Sequence, residues 1–218
     1  MKDNLSQNEN LIVIGSGGHA AILVEILSLH KQNILAIVSP DKEHPREVFK
    51  GFFFYENDSD VLNYPPQTTF LVNGIGSIPG NVRRNILYHD FVNKGFSFYS
   101  VISPKAIISP FAKLGKGVQV MSGAIIQHGA VIGDNCIINT GAIVEHDCVI
   151  GANNHVAPGA TLSGGVLTGL NVHIGTNSTI IQNIQIGDAA VVGAGAVITR
   201  NIEKNTIVYP AKVFSRGL

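Results

Sequence analysis

Residues 131–151 read VIGDNCIINTGAIVEHDCVIG, with Ile132, Ile138, Val144 and Ile150 six positions apart. The same rule runs outward in both directions. From Ile102 to Leu162 every sixth residue is a branched aliphatic, Thr168 alone breaks the series, and it resumes at Ile174, Ile180, Ile186, Val192 and Ile198. Four residues after each comes a small or apolar residue, such as Ala106, Ala112, Val118, Ala124, Ala130, Cys136, Ala142 or Cys148, with Asn154 and Ser178 as polar exceptions. Neither the helical period nor the alternation of a strand sustains an unbroken six. A coil of three short strands, six residues to a side, does: the aliphatic residue fills a triangular interior, the small one fits near a corner, and pairs such as GD, GA, GT and SP make the bends. The sequence thus predicts a parallel β-helix of between five and six coils, roughly 27 Å of stack at ~4.8 Å per rung. The 24 glycines and the lack of Trp suit such a coil.

Residues eighteen apart stack on successive coils, so columns can be read from the sequence. One corner column holds His128, His146, Gly164 and Gln182; another holds Thr140, Pro158, Thr176 and Ala194; a third position stacks His155 on His173.

The first hundred residues follow a different pattern. LIVIG, a helix from about His19 to Lys31, NILAIVS, TFLVNGIG, a helix over NVRRNILYHDFVNKG, and FSFYSVI predict a small parallel α/β sheet of Rossmann-like type. The expected division is an α/β domain over 1–100 and a β-helix with a C-terminal tail over 101–218. Beyond Glu203 the repeat ends, and NTIVYPAKVFSRGL is expected to fold back over the last coil and cover its open edge.

Between the first strand and helix lies Gly15-Ser16-Gly17-Gly18-His19-Ala20, and Asp41 follows twenty-one residues after Ala20. GxGxxA is formally a dinucleotide fingerprint. Against that reading, the second strand ends in Ser39-Pro40 where an acidic residue would meet a ribose, and the α/β part is too short for two mononucleotide halves. Two readings remain: glycines that only permit a tight turn, and a loop whose backbone N–H groups receive the phosphates of a nucleotide sugar. The second is favoured.

Lys plus Arg and Asp plus Glu both number 15, so no charge surplus favours nucleic acid or an acidic membrane. No apolar run has the length of a membrane span and the opening residues MKDNLSQNEN carry no signal pattern, so a cytoplasmic location without membrane insertion is expected. The two cysteines, Cys136 and Cys148, fall in the inward set and read as buried free thiols.

A GSGGH turn on a short α/β domain, about seventeen hexapeptides containing VEHDCVIG, and a YPAK tail together resemble the sugar acyltransferases of the NeuD and PglD type. The resemblance covers nearly the whole chain. It implies a left-handed β-helix, acetyl-CoA as co-substrate, a nucleotide sugar held by the α/β domain, and a homotrimer that binds CoA between neighbouring subunits. The likeness is greatest to bacterial N-acetyltransferases that modify a UDP-linked 4-amino-4,6-dideoxy sugar in glycan synthesis.

Residue by residue, the resemblance places His146 as the catalytic histidine with Asp147 as the acidic residue beside it, and His155 as a second histidine close to acetyl-CoA. Gly164, Thr176 and Ala194 match CoA-contacting positions. Gly15, Ser16, Gly17 and His19 match the substrate loop, and Asp41 stands for the acidic residue at the end of the second strand. Val208 occupies a position before PAK where glycine is common.

Acetyl transfer to an amine needs a base to take a proton from the nitrogen, and an imidazole suits that near neutral pH. Asp147 or Glu145 would orient it; Asp147 can do so only at a corner, because neighbours along a strand point to opposite faces. His128 and His173 read as surface or interface residues, and Gly164 as leaving room for a ligand. Zinc held by stacked histidines is disfavoured by spacings of eighteen and nine, so no metal is expected. A scaffold that has lost activity is disfavoured by the EHD sequence. O-acetylation of a sialic acid or related sugar remains the alternative, since the same base can deprotonate a hydroxyl.

Overall fold

The computed structural model describes residues 9–41 and 46–210. The chain divides into two compact units: residues up to Pro104 together with Gly115–Gln119, and Lys105–Leu114 together with the residues from Val120 onward.

In the first unit, strands β1 (Asn10–Ile14), β2 (Asn33–Val38), β3 (Phe54–Tyr55), β4 (Thr69–Asn73) and β5 (Ser97–Phe98) form a parallel sheet in the order β3-β2-β1-β4-β5. Helix α1 (Gly18–Leu29) joins β1 to β2, and α2 (Arg83–Asn93) lies between β4 and β5. Leu11, Ile12, Val13 and Ile14 are all buried, which is why β1 reads as a continuous apolar run rather than an alternating one. Helix α1 buries Ala20, Leu23, Val24, Ile26 and Leu27, each large side chain contributing about 1.5–3 kcal/mol. Strand β3 and the short helices Glu47–Phe49 and Asp58–Asn63 were not expected, because segments this short carry no period. The strand order reverses between β1 and β4, and an open α/β sheet binds ligands beyond the carboxyl ends of the strands at such a point.

The second unit is a left-handed parallel β-helix. Two-residue strands stack in register eighteen apart: Ile107, Ile125, Ile143, Thr161, Thr179 and Val197 on one face, Lys113, Val131, Val149, Leu167 and Gln185 on the second, and Ile137, His155, His173 and Val191 on the third. The aliphatic series from Val120 is buried, as are Ala124, Ala130, Cys136, Ala142 and Cys148. Both cysteines are free thiols, and burial pushes that of Cys148 above its ordinary pKa. From Gly117 to Gly195 every sixth residue has positive φ, and Gly or Asn occupies nearly all of these corners, with Asp147 and Ala189 as the exceptions.

Two of the three breaks in the inward pattern, Asn154 and Thr168, are partners. Asn154 Nδ2 donates to Thr168 Oγ1 (2.5 Å) and to the carbonyl of Gly169 (3.0 Å), while Asn154 Oδ1 accepts from Val172 N–H (2.5 Å). Thr168 Oγ1 also accepts from Gly151 N–H at 3.1 Å. A polar pair inside an apolar coil is tolerated because each group finds its complement. Ser178, the other exception, donates to the carbonyl of Gly175 at 2.8 Å.

The tail departs from expectation where it is described: Ile207–Val208 adds a parallel rung beside Val191–Val192 instead of folding back over the coil. Residues from 211, including the end of YPAK, lie outside the described residues, as do residues 1–8. No helix among the described residues is long and apolar enough to cross a membrane.

Candidate active site

In the second unit, His146 and Asp147 stand at a corner of the coil. Asp147 has φ +59°, and this left-handed turn brings its side chain back to its neighbour: His146 Nδ1 lies 2.9 Å from Asp147 Oδ2. A carboxylate oxygen only accepts, so Nδ1 carries the proton and Nε2 presents a lone pair, the tautomer a base requires. Glu145, the alternative orienter, instead accepts the backbone N–H of His146 at 3.3 Å. The expected corner column is present, with Asp147 N–H donating to the carbonyl of His128, Gly165 N–H to that of His146, and Asn183 N–H to that of Gly164. Gly129 leaves space for the Asp147 carboxylate, since a Cβ there would lie 2.6 Å from Oδ1.

Gly164 differs from the expectation that it leaves room for a ligand. The imidazole of His146 fills that room: a Cβ on Gly164 would lie 2.5 Å from Cε1 and Nε2. The glycine therefore seats the ring.

His155 is buried and stacks edge-on against His173, with ring centroids 4.9 Å apart. Asn139, which sequence reasoning missed, sets its protonation. Asn139 Oδ1 accepts Thr140 N–H at 2.8 Å, so its Nδ2 faces His155 Nε2 at 3.0 Å as a donor. His155 Nε2 then carries the lone pair, and its proton sits on Nδ1. Burial lowers the pKa of His173, whose Nδ1 has no hydrogen-bond partner among the described residues. Thr176 and Ala194 are exposed at a neighbouring corner, where the Thr176 carbonyl accepts Gly195 N–H at 2.8 Å. His128 is exposed, its ring 4.9 Å from that of Phe111.

In the first unit, the GSGGH loop follows β1. Gly15 has φ +110°, and its position and Gly74 bring the loops after β1 and β4 together: a Cβ on Gly15 would meet Gly74 at 3.1 Å, and one on Gly74 would meet the Ile14 carbonyl at 2.7 Å. Helix α1 begins after Gly17 with no side-chain cap and no acidic residue in its first turn, which leaves the positive helix end uncompensated among the described residues. The Arg46 guanidinium adds positive charge there, lying 3.6 Å from where a Cβ on Gly18 would stand. Ser16 Oγ donates to Ser39 Oγ at 2.7 Å, and that oxygen also accepts Asp41 N–H at 3.3 Å, so two predicted substrate residues meet through Ser39.

His19 enters a polar chain that the sequence concealed. Its Nε2 lies 2.7 Å from Gln119 Oε1; Gln119 Nε2 donates to the Asn73 carbonyl at 2.8 Å, and buried Arg84 Nη1 donates to the carbonyls of Asn73 (2.9 Å) and Ile75 (2.7 Å). Burial, and then the Arg84 charge, lower the His19 pKa to about 4 against the opposing effect of the Gln119 hydrogen bond. No single segment carries this chain, which joins the first turns of both helices, the end of β4 and residue 119.

Comparison with known proteins matches the PglD N-terminal domain to residues 10–89, the bacterial transferase hexapeptide (six repeats) to 111–146 and 129–164, and the hexapeptide repeat of succinyl-transferase to 165–200. No curated protein matches. Among solved structures, the acetyltransferase domain of PglB from Neisseria gonorrhoeae, in complex with acetyl coenzyme A, is 32% identical, covers 95% of this chain and 100% of its own, and superposes with a TM-score of 0.81. PerB from Caulobacter crescentus, in complex with CoA and GDP-perosamine, is 34% identical over 96% of this chain and 99% of its own, with a TM-score of 0.82. That perosamine N-acetyltransferase has also been solved with a histidine replaced by asparagine.

Proposed function

The chain belongs to the NeuD/PglD-type sugar acyltransferases, and from that premise we propose that it transfers an acetyl group from acetyl-CoA to the 4-amino group of a UDP-linked 4-amino-4,6-dideoxy-N-acetylhexosamine. The observation that carries the reading is the His146–Asp147 pair, whose tautomer leaves Nε2 unprotonated at the surface of a hexapeptide coil. The neutral amine attacks the thioester carbonyl, His146 Nε2 takes the proton the nitrogen sheds, the C–S bond breaks as the amide forms, and the imidazolium returns its proton to the departing thiolate, which leaves as CoA thiol. Asp147 stabilises the resulting imidazolium and holds the ring. His155, Gly164, Thr176 and Ala194 are assigned to acetyl-CoA.

The first unit receives the nucleotide sugar. The uncapped start of α1 and the Arg46 guanidinium suit its diphosphate, and Gly15, Ser16, Gly17, His19 and Asp41 are assigned to the nucleotide sugar as a whole. The likeness to PerB favours a second reading of the nucleotide, a GDP-linked sugar, with the same chemistry. The assembly is read as a homotrimer, supported by an outward column of Ile107, Ile125, Ile143, Thr161, Thr179 and Val197 that contains no charge.

His146→Ala is expected to lower kcat about 10²- to 10⁴-fold with the fold unchanged. Unaltered turnover would remove His146 from the mechanism. Sedimentation should give a trimer, and a fully active monomer at assay concentration would contradict that assembly.

A further inference from the structure

The hydrogen bonds around Gln119 determine which nitrogen of His19 carries the proton. A backbone carbonyl only accepts, so the end of the Gln119 amide that faces the Asn73 carbonyl at 2.8 Å is its NH₂ group. The end that faces His19 is therefore the oxygen, also an acceptor only, and His19 Nε2 at 2.7 Å must be the donor. Gln119 is fully buried, which leaves its amide no water with which to exchange these roles. The Arg84 charge near the ring and the burial of His19 oppose a second proton on the imidazole. Nδ1 is then a lone-pair acceptor, and among the described residues the ring makes no other hydrogen bond.

We propose that Gln119 is a positioning residue: it holds His19 as the Nε2–H tautomer, so that Nδ1 accepts a hydrogen bond from an amine or hydroxyl of the sugar. The inference rests on the reading that the first unit binds the nucleotide sugar. A phosphate oxygen has only lone pairs to offer and is excluded as the partner of a neutral Nδ1. His19 thus reads the sugar, while the loop backbone and Arg46 are left to the diphosphate. His19 and His146 have opposite tautomers, each set by the acceptor beside it.

The test is nitrogen-15 NMR on the full protein labelled at histidine, with His19 assigned through His19→Gln. The expected spectrum has a protonated Nε2 and an unprotonated Nδ1, unchanged between pH 6 and 8. A protonated Nδ1 anywhere in that range overturns the proposal without need of any variant at Gln119. In Gln119→Leu the ring loses the acceptor that fixes both its proton and its orientation: the two tautomers should mix, and KM for the nucleotide amino sugar should rise between about twofold, the share of tautomer mixing alone, and about tenfold, the loss of one hydrogen bond made equally in ground and transition states, with kcat within threefold. Affinity for UDP or GDP alone should stay within twofold; a parallel loss would mean that His19 reads the phosphates and would overturn the proposal. A 4-deoxy analogue that removes the difference between wild type and Gln119→Leu identifies the 4-amino group as donor, and persistence of the difference identifies a sugar hydroxyl. If calorimetry finds no binding of any nucleotide sugar to the wild type, the substrate reading fails by itself, and the tautomer measurement still stands.

Discussion

Replacing Gly164 by alanine separates the base from its support. The added Cβ would stand 2.5 Å from His146 Cε1 and Nε2 and 3.1 Å from Cδ2. Carbon atoms settle at ~3.5–4.0 Å, so the ring must retreat by about 1 Å. The side chain of His146 is 62% exposed, so the ring can shift toward solvent. Gly164 does not have the positive φ that would strain an L residue, and a glycine-to-alanine change at a compatible position stabilises by about 0.4–1 kcal/mol through the unfolded chain. Folding free energy should therefore stay within about 1 kcal/mol, while misplacing the base by about 1 Å lowers kcat about 10²-fold. Steady-state kinetics and urea unfolding measure the two. KM for acetyl-CoA distinguishes a lost CoA contact, which would raise it, from a displaced base. In a His146→Ala background the same substitution should have little further effect on kcat, because the two act on one group. A kcat within threefold of wild type, or a full additional loss in the double variant, would refute this reasoning.

Asp147→Asn keeps a residue type that occupies the same left-handed corner at Asn135 and Asn153, so the fold should persist; kcat is expected to fall about 10²-fold, less than on removing His146, as stopped-time product assays would establish. Thr168→Val should cost about 1–3 kcal/mol by taking the acceptor from Asn154 and Gly151, and in combination with Asn154→Ala the urea-measured losses should sum to less than the separate values. Stability should also depend on His19. Its folded pKa of about 4 lies below the ordinary 6.5, so the unfolded chain binds more protons between those values. The contribution, about 3 kcal/mol, is complete above pH 6.5 and is lost as pH falls toward 4; His173 acts in the same direction. Unfolding at pH 7.5 and 4.5 should accordingly show a smaller difference in His19→Gln than in the wild type, and equal differences would contradict it.

The coil was legible because one constraint, a triangular interior, recurs every six residues and marks each turn. The stacking of His146 on Gly164 followed from that period alone. Its meaning did not, because a column gives the neighbour of a side chain and not which of the two fills the space. Asp147 over Glu145 was decided by a left-handed corner; the succession of Gly and Asn every sixth residue, into which Asp147 falls, was the signal that could have found it. Asn154 and Thr168 stood out singly as exceptions, yet they are fourteen apart and belong to no shared column, so their pairing needed three dimensions. The His19, Gln119, Asn73 and Arg84 chain was hidden for the same reason, with partners up to 100 residues apart. Strand β3 escaped notice because two residues cannot display an alternation.

Release of CoA thiol from acetyl-CoA, measured with UDP- and GDP-linked 4-amino-4,6-dideoxy sugars, the 4-hydroxy analogue and free sialic acid as acceptors, tests the central claim most directly. Rapid turnover with a nucleotide-linked amino sugar, abolished by His146→Ala, is the predicted result. Turnover confined to the hydroxyl acceptors would contradict N-acetylation, and thiol release from any acceptor that persists undiminished in His146→Ala would contradict the base.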